Sequence, residues 1–371
     1  MLSQWMSQKF KFWAFVSMVL LVFVHGYNLD QRYLQPWTIP YEPLTPTSFT
    51  EYFLANGIFR FRIPMLFIIS GYLYALNDQL PNGQRIRKRL RTLLLPYLIW
   101  SGAGMGLIYL LELFPYTRNF LMISHFVQID NTRLLIHDYH WYEVLARWLF
   151  FPVSYQLWFI RVLLIYNIAY PLIRWCVTHS RARWIFFTMT TLLWLSTMGF
   201  VFFEGEGLLF FSLGVWMQKS SFTIEIPQRG LKPLLWGVAF IILALIKTIL
   251  AFKAENMNGV LPIITLMHKV VVLSGLIACW YGSDGLVKWS MSKPWFAWLS
   301  SFSFIIYALH APLVAIGIDP VFDGLRYIEG YRILTFILLP LTVILFCIAT
   351  GAILRKTAPK LYAVLTGGRG M

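Results

Sequence analysis

Apolar runs of about twenty residues recur from one end of this chain of 371 residues to the other. A helix needs roughly 20 apolar residues to cross about 30 Å of hydrocarbon. Ten segments qualify as candidates: 10–29, 53–77, 93–113, 157–176, 184–203, 207–218, 233–251, 260–281, 295–317 and 331–354. The sixth is the shortest. None alternates apolar and polar residues as a membrane barrel strand would. Charged residues make up 13% of the chain, about half the share usual in soluble domains, too few to cover a water-facing surface. The expected fold is all-α: a polytopic integral membrane bundle of about ten transmembrane helices. A single domain over 1–371 with no appended soluble domain is expected.

The net charge of +15 invites a nucleic-acid reading, but its distribution argues for topology instead. With the N-terminus placed inside, 19 of the 31 Lys and Arg residues fall in cytoplasmic segments, 7 in outer segments and 5 within spans. This is the positive-inside bias. It puts both termini on the cytoplasmic side and gives no reason to expect a nucleic-acid partner. The first apolar run resembles a signal peptide but ends His25-Gly26-Tyr27-Asn28 without a small-residue cleavage site, so it reads as an uncleaved first span. Cys176, Cys279 and Cys347 make no disulfide or metal spacing, and no metal is expected. The two largest outer loops are 30–52 and 114–156, the second with a helix expected near 140–150 at the membrane interface.

Ionisable residues inside spans are costly and usually functional. Counting 1.5 Å per residue, His25 lies roughly 6 Å from the outer end of its span, Arg60 roughly 10 Å, Arg62 roughly 13 Å, Arg161 roughly 6 Å and His310 roughly 10 Å. Four helices thus place His or Arg in the same outer part of the membrane, which a shared polar cavity would explain. Each has a blander reading. A membrane histidine often makes only a helix–helix hydrogen bond, and Arg161 is near enough to the interface to snorkel. Arg60 and Arg62 resist it, because residues two apart cannot share a helix face. Pro64, moreover, removes the donor for the carbonyl of Arg60. A kinked polar stretch is expected there. Lys247 is expected to snorkel outward, and Lys269, beside His268, lies deeper. The basic run Arg85, Arg87, Lys88, Arg89 and Arg91 serves either as an anchor on anionic lipid headgroups or as a site for a phosphorylated cytoplasmic donor, since arginine forks match phosphate oxygens.

Five strings, in order, carry a resemblance: Val22-Phe23-Val24-His25-Gly26; Arg60-Phe61-Arg62-Ile63-Pro64 running to Phe67-Ile68-Ile69-Ser70-Gly71-Tyr72-Leu73; Arg89-Leu90-Arg91 into Leu95-Pro96-Tyr97-Leu98; Leu157-Trp158-Phe159-Ile160-Arg161; and Leu299-Ser300-Ser301-Phe302 running to Tyr307-Ala308-Leu309-His310. Together, over roughly residues 12–315, the chain resembles the acyltransferase-3 family of bacterial membrane acyltransferases. The resemblance implies a ten-helix enzyme of the bacterial cytoplasmic (inner) membrane. Such an enzyme moves an acyl group, commonly acetyl, from cytoplasmic acyl-CoA to a hydroxyl of a cell-surface or exported glycan or lipid-linked sugar. Acetyl-CoA or another acyl-CoA is then the donor, and glycan-assembly proteins are potential partners. The family's first-span histidine maps to His25 and its second-span arginines to Arg60 and Arg62. One position departs: many members carry a basic residue eleven positions before that histidine, where this chain has Ala14. Lys11, one turn further back, is the substitute the sequence offers.

Acyl transfer to a hydroxyl requires a base and a group to stabilise the tetrahedral oxyanion. His25 is the expected base, with Glu143 or Asp30 as the candidate that fixes its tautomer. Arg60 or Arg62 is expected at the oxyanion or on CoA phosphates. Arg161, His310 and Trp158 are expected to bind the acceptor, and Arg85, Arg87, Lys88, Arg89 and Arg91 the donor. Ser70 is either an acyl carrier or half of a helix-packing Ser-Gly pair. Two other classes stay open: a non-enzymatic transporter or flippase of a polysaccharide or lipid-linked sugar, and a receptor or assembly subunit acting through loop 114–156. CoA-thioester consumption separates the first of these from an enzyme.

Overall fold

The computed structural model describes residues 2–27, 35–123, 135–220, 222–254 and 259–370. In chain order its helices are α1 (Gln4–His25), α2 (Pro46–Tyr52), α3 (Arg62–Leu76), α4 (Asn82–Arg89), α5 (Leu95–Glu112), α6 (Pro115–Ile123), α7 (Trp141–Leu149), α8 (Trp158–Ile168), α9 (Tyr170–Thr178), α10 (Ser180–Leu195), α11 (Gly205–Lys219), α12 (Pro233–Lys253), α13 (Val260–Gly282), α14 (Asp284–Met291), α15 (Pro294–Ser300), α16 (Ser303–Leu325), α17 (Tyr331–Thr357) and α18 (Pro359–Thr366). No strand forms among the described residues; one isolated antiparallel bridge joins Gly199 to Glu204.

The protein is an all-helical membrane protein. Among the described residues, seven helical stretches are long and apolar enough to cross a bilayer: α1, the run from α2 through α3, the run from α4 through α5, α12, α13, α16 and α17. The segment expected at 157–176 is a pair, α8 and α9, bent by 66°. The segments expected at 184–203 and 207–218 become helices of 16 and 15 residues. α10 stops short because Thr197 adopts a left-handed backbone at φ 56°, a conformation unfavourable for a β-branched residue. The segment expected at 295–317 is split, with α15 ending at Ser300, whose hydroxyl bonds back to the Ala297 carbonyl at 2.8 Å. α16 then starts afresh at Ser303.

The chain folds into two compact units interleaved in sequence: residues 1–80 with 166–300, and residues 81–165 with 301–371. In the first, α3 packs on α11 with almost no separation. A Cβ on Gly71 would lie 2.0 Å from the Phe211 carbonyl oxygen, and one on Gly214 would lie 2.1 Å from that of Ile68. Small residues that let backbones meet are how membrane helices gain contact without a hydrophobic driving force. The Ser70-Gly71 pair is thus part of a packing seam. In the second unit, Ile108, Leu121, Ile136 and Ala315 form a buried apolar cluster. Tyr307 donates to the Gln156 carbonyl at 2.6 Å and Gln156 Nε2 to that of Ala308 at 2.9 Å, pinning the turn before α8 to α16.

Candidate active site

The kink expected near Arg60 and Pro64 takes a definite form. Between α2 and α3 the backbone widens into a π-helical turn over Phe53–Gly57, then tightens into a 3₁₀ turn over Ile58–Phe61. π-turns inside helices are rare and concentrate at functional sites. The change of winding turns the carbonyls of Ala55 and Asn56 over to side chains. Arg60 Nε donates to the Ala55 carbonyl at 2.9 Å, and its Nη2 donates to the Asn56 side-chain oxygen. Arg62, buried, donates from Nη1 to the Phe59 carbonyl at 2.8 Å. The two guanidiniums, as their spacing requires, bond in different directions.

Around this turn the first unit gathers a polar cluster. Lys247 on α12 does not snorkel: it is fully buried and donates to the Asn56 carbonyl at 2.6 Å. Its Nζ also lies 3.5 Å from His268 Nδ1 on α13 and 5.5 Å from the Tyr52 ring. The physical reason is local: the π-turn offers a buried carbonyl, and an unpaired carbonyl in a membrane interior is itself costly. Lys269 sits between two indoles, 5.3 Å from the Trp37 ring and 5.1 Å from that of Trp194. Trp37 also lies 5.9 Å from the His268 ring, and Tyr52 donates to the Thr38 carbonyl at 3.0 Å, so the segment around Trp37 covers the cluster. Trp194 Nε1 donates to Glu206 Oε2 at 3.0 Å. The Glu206 carboxylate lies within electrostatic reach of Lys269, Arg60 and Arg62. Three cations thus bear on Glu206, and Lys269 also on neighbouring Glu204.

His25 is the last residue of α1, half-buried. Its helix end meets the same turn: the Phe23 ring lies 6.3 Å from that of Phe59, and Tyr27 interacts electrostatically with Arg60 and Tyr52. Asp30 lies outside the described residues. Glu143 is engaged elsewhere, accepting from the His140 backbone N–H at 2.8 Å to cap α7. At the other end of α1, Lys11 is exposed, and the buried cation is Lys9, 2.5 Å from Asp284 and 4.5 Å from the Trp280 ring. Trp280, Phe10, Met65, Ile69, Phe210 and Leu276 line an apolar cavity of about 470 Å³. Met65 is three residues beyond Arg62 and Phe210 four beyond Glu206, so the cavity begins one helical turn from the cluster.

The second unit carries the remaining expected residues. Trp158 and Arg161 lie on α8, where Arg161 interacts electrostatically with Tyr97 and Tyr307. His310, fully buried on α16, directs Nδ1 at the carbonyls of Ile306 and Tyr307, both at 2.9 Å. Nδ1 therefore carries the proton, and the contact lies within α16 itself and not between helices. The basic run lies on α4 and the π-helical turn Leu90–Leu94, with Arg85 buried and Arg87, Lys88 and Arg91 exposed. His25, Arg60 and Arg62 thus fall in one unit, and Arg161, His310, Trp158 and the basic run in the other.

Sequence reasoning passed over Asn56, Glu206 and Lys9, and gave Lys247 the wrong place. Asn56 and Glu206 were findable as polar residues within or beside apolar segments. The burial of Lys247 was not, because its partner is a backbone carbonyl.

Comparison with known proteins gives two matches. The sequence profile described as "Acyltransferase domain", of the family Acyl_transf_3, matches residues 8–351. The chain is also 25% identical over 346 residues to the succinoglycan biosynthesis protein ExoH of Rhizobium meliloti, covering 89% of this chain and 87% of that one. No solved structure matches.

Proposed function

The chain belongs to the acyltransferase-3 family, and from that premise we propose that it transfers an acyl group, acetyl in the simplest case, from cytoplasmic acyl-CoA to a hydroxyl of a cell-surface or exported glycan, or of its lipid-linked precursor, in the bacterial inner membrane. The observation that carries this reading is the buried cationic cluster of Arg60, Arg62, Lys247 and Lys269 against which the His25 end of α1 packs. A buried surplus of positive charge, held in place before any substrate arrives, suits a reaction that develops negative charge on oxygen.

In this reading the neutral His25 imidazole takes the proton of the acceptor hydroxyl as its oxygen attacks the thioester carbonyl. The new C–O bond leaves negative charge on the carbonyl oxygen, which Arg60 or Arg62 stabilises. Collapse of the tetrahedral intermediate breaks the C–S bond. The imidazolium returns its proton to the departing CoA thiolate. The apolar cavity of about 470 Å³ is of a size that holds small ligands and is assigned to the acyl end of the donor. The basic run Arg85–Arg91 is assigned to the donor's phosphates. Trp158, Arg161 and His310 stay assigned to the acceptor. A relative named for succinoglycan biosynthesis supports a glycan as that acceptor.

The test is thiol release. Purified protein in nanodiscs, given acyl-CoA and a lipid-linked oligosaccharide, should release free CoA in step with acyl appearance on the sugar. A folded sample that moves the sugar across a vesicle membrane without consuming thioester would favour the flippase reading.

A further inference from the structure

The second unit holds a guanidinium, that of Arg369, that the reaction as described does not use, within electrostatic reach of Arg89 of the basic run. Pro96 lacks an N–H and therefore cannot bond the carbonyl four residues back, that of Thr92. The backbone there opens into the π-helical turn Leu90–Leu94. The Thr92 carbonyl is taken instead by Arg369 Nη1 at 2.9 Å, and the same nitrogen reaches the Thr366 carbonyl at 3.0 Å. Arg369 arrives by a Gly-Gly-Arg-Gly segment that only glycine permits. Gly367 has φ +61°, and a Cβ there would lie 2.3 Å from the Thr92 oxygen. Gly370 has φ +73°, and a Cβ there would lie 2.1 Å from the Ser301 oxygen. Gly370 in turn accepts from Arg355 Nη1 at 2.9 Å.

One edge of Arg369 is thus consumed by backbone and its face by the Phe304 ring, 4.9 Å away. Its Nε and Nη2 make no hydrogen bond among the described residues. The charges that bear on it are the Arg89 guanidinium and the Tyr307 phenol, with no carboxylate among them. Burial and the neighbouring Arg89 push the Arg369 guanidinium down to about 10, well below the range usual for arginine. Two half-buried guanidiniums within electrostatic reach repel, and an anion bound by both would turn the repulsion into forked hydrogen bonds.

We infer that Arg369 and Arg89 form a phosphate-binding site, in which the glycine-flanked Arg369 folds over the start of α5 to complete what the basic run begins. A phosphate of the acyl-CoA donor is the ligand if the proposed function holds, on which that identity rests; the headgroup phosphate of an anionic lipid offers the same chemistry. Tyr307 interacts electrostatically with both Arg369 and Arg161. The site therefore stands at one end of a line of cationic and phenolic side chains leading to a residue assigned to the acceptor.

The experiment uses the full chain in nanodiscs of zwitterionic lipid. CoA and 3′-dephospho-CoA are titrated against wild type, Arg369→Gln, Arg89→Gln and Arg369→Lys, and retention of phosphatidylglycerol through purification is measured for each. A tenfold or greater rise in Kd for CoA in both Gln variants, about 1.4 kcal/mol, with a shallower salt dependence and partial recovery in Arg369→Lys, identifies the donor's phosphate. Unchanged CoA binding with loss of retained phosphatidylglycerol in both Gln variants identifies a lipid phosphate. If wild type binds no CoA at all, the donor reading fails while the lipid arm still decides the site. Gln variants that match wild type in both arms overturn it, as do Gln variants that lose binding only together with their monodisperse elution.

Discussion

At the scale of single residues, a buried polar group is informative when its partner is known. His310 was singled out by its depth, and its ring bonds to its own helix. Lys247 was set aside by its position near a helix end, and it bonds to a carbonyl on another helix. Sequence shows depth but not partners, and so could not tell the two kinds of contact apart. Lys247→Met keeps much of the side chain's bulk and apolar stem but leaves the Asn56 carbonyl without its donor. The expected loss is about 1–3 kcal/mol of stability, together with a clear fall in transfer, read as a drop in melting temperature and in initial rate. A snorkelling lysine would give neither. His25 and Arg60 stood out because an imidazole and a guanidinium inside an apolar run are costly there. Glu206 was hidden by its place at the head of a short helix, where an acidic residue ordinarily serves only the helix dipole.

At the scale of elements, the apolar runs located most helices, and what escaped were the breaks. The π-turn at Phe53–Gly57 needs a lysine from α12 and an arginine four residues on, so no local pattern announces it. Helix seams are equally non-local. Gly71→Ala would press a methyl to 2.0 Å from the Phe211 carbonyl, where only backbone movement can relieve the overlap. Overpacking of this kind costs about 1–3 kcal/mol or more. Gly83→Ala, with open space around it, is the control that should leave melting unchanged. A second tie joins three elements of the first unit: Asp78, just after α3, meets Lys219 of α11 at 2.5 Å and Arg174 of α9 at 3.0 Å. Burial pushes the Asp78 carboxyl up. The Lys219 and Tyr170 hydrogen bonds and the charges of Lys219 and Arg174 outweigh it, and hold the carboxyl below its ordinary value. A depressed folded-state pKa gives stability that is present above the unfolded value of about 3.9 and lost as pH falls through the folded value. Asp78→Asn should therefore lower the melting temperature at pH 7 and flatten its fall under acid, as followed by scanning fluorimetry.

At the scale of the whole molecule, composition settled the solvent and the fold class, and the motif order settled the family. The interleaving of two units in sequence was not legible, because contacts between residues more than a hundred positions apart leave no trace in local hydropathy. Charge asymmetry predicts an orientation with both termini inside. In a background lacking the three native cysteines, Gln84→Cys should react with an impermeant maleimide only after the inner face is opened, and Tyr41→Cys should react from outside in intact cells. Reversed labelling would invert every statement about which side supplies donor and acceptor.

The chemical assignment stands or falls on His25. Acyl transfer from acyl-CoA to acceptor, measured in nanodiscs beside acyl-CoA binding, should fall about 10²–10⁴-fold in His25→Ala, the range expected for losing a general base, with donor affinity and elution profile unchanged. Transfer within a few-fold of wild type by a folded His25→Ala protein would contradict it and move the search for the base to His268.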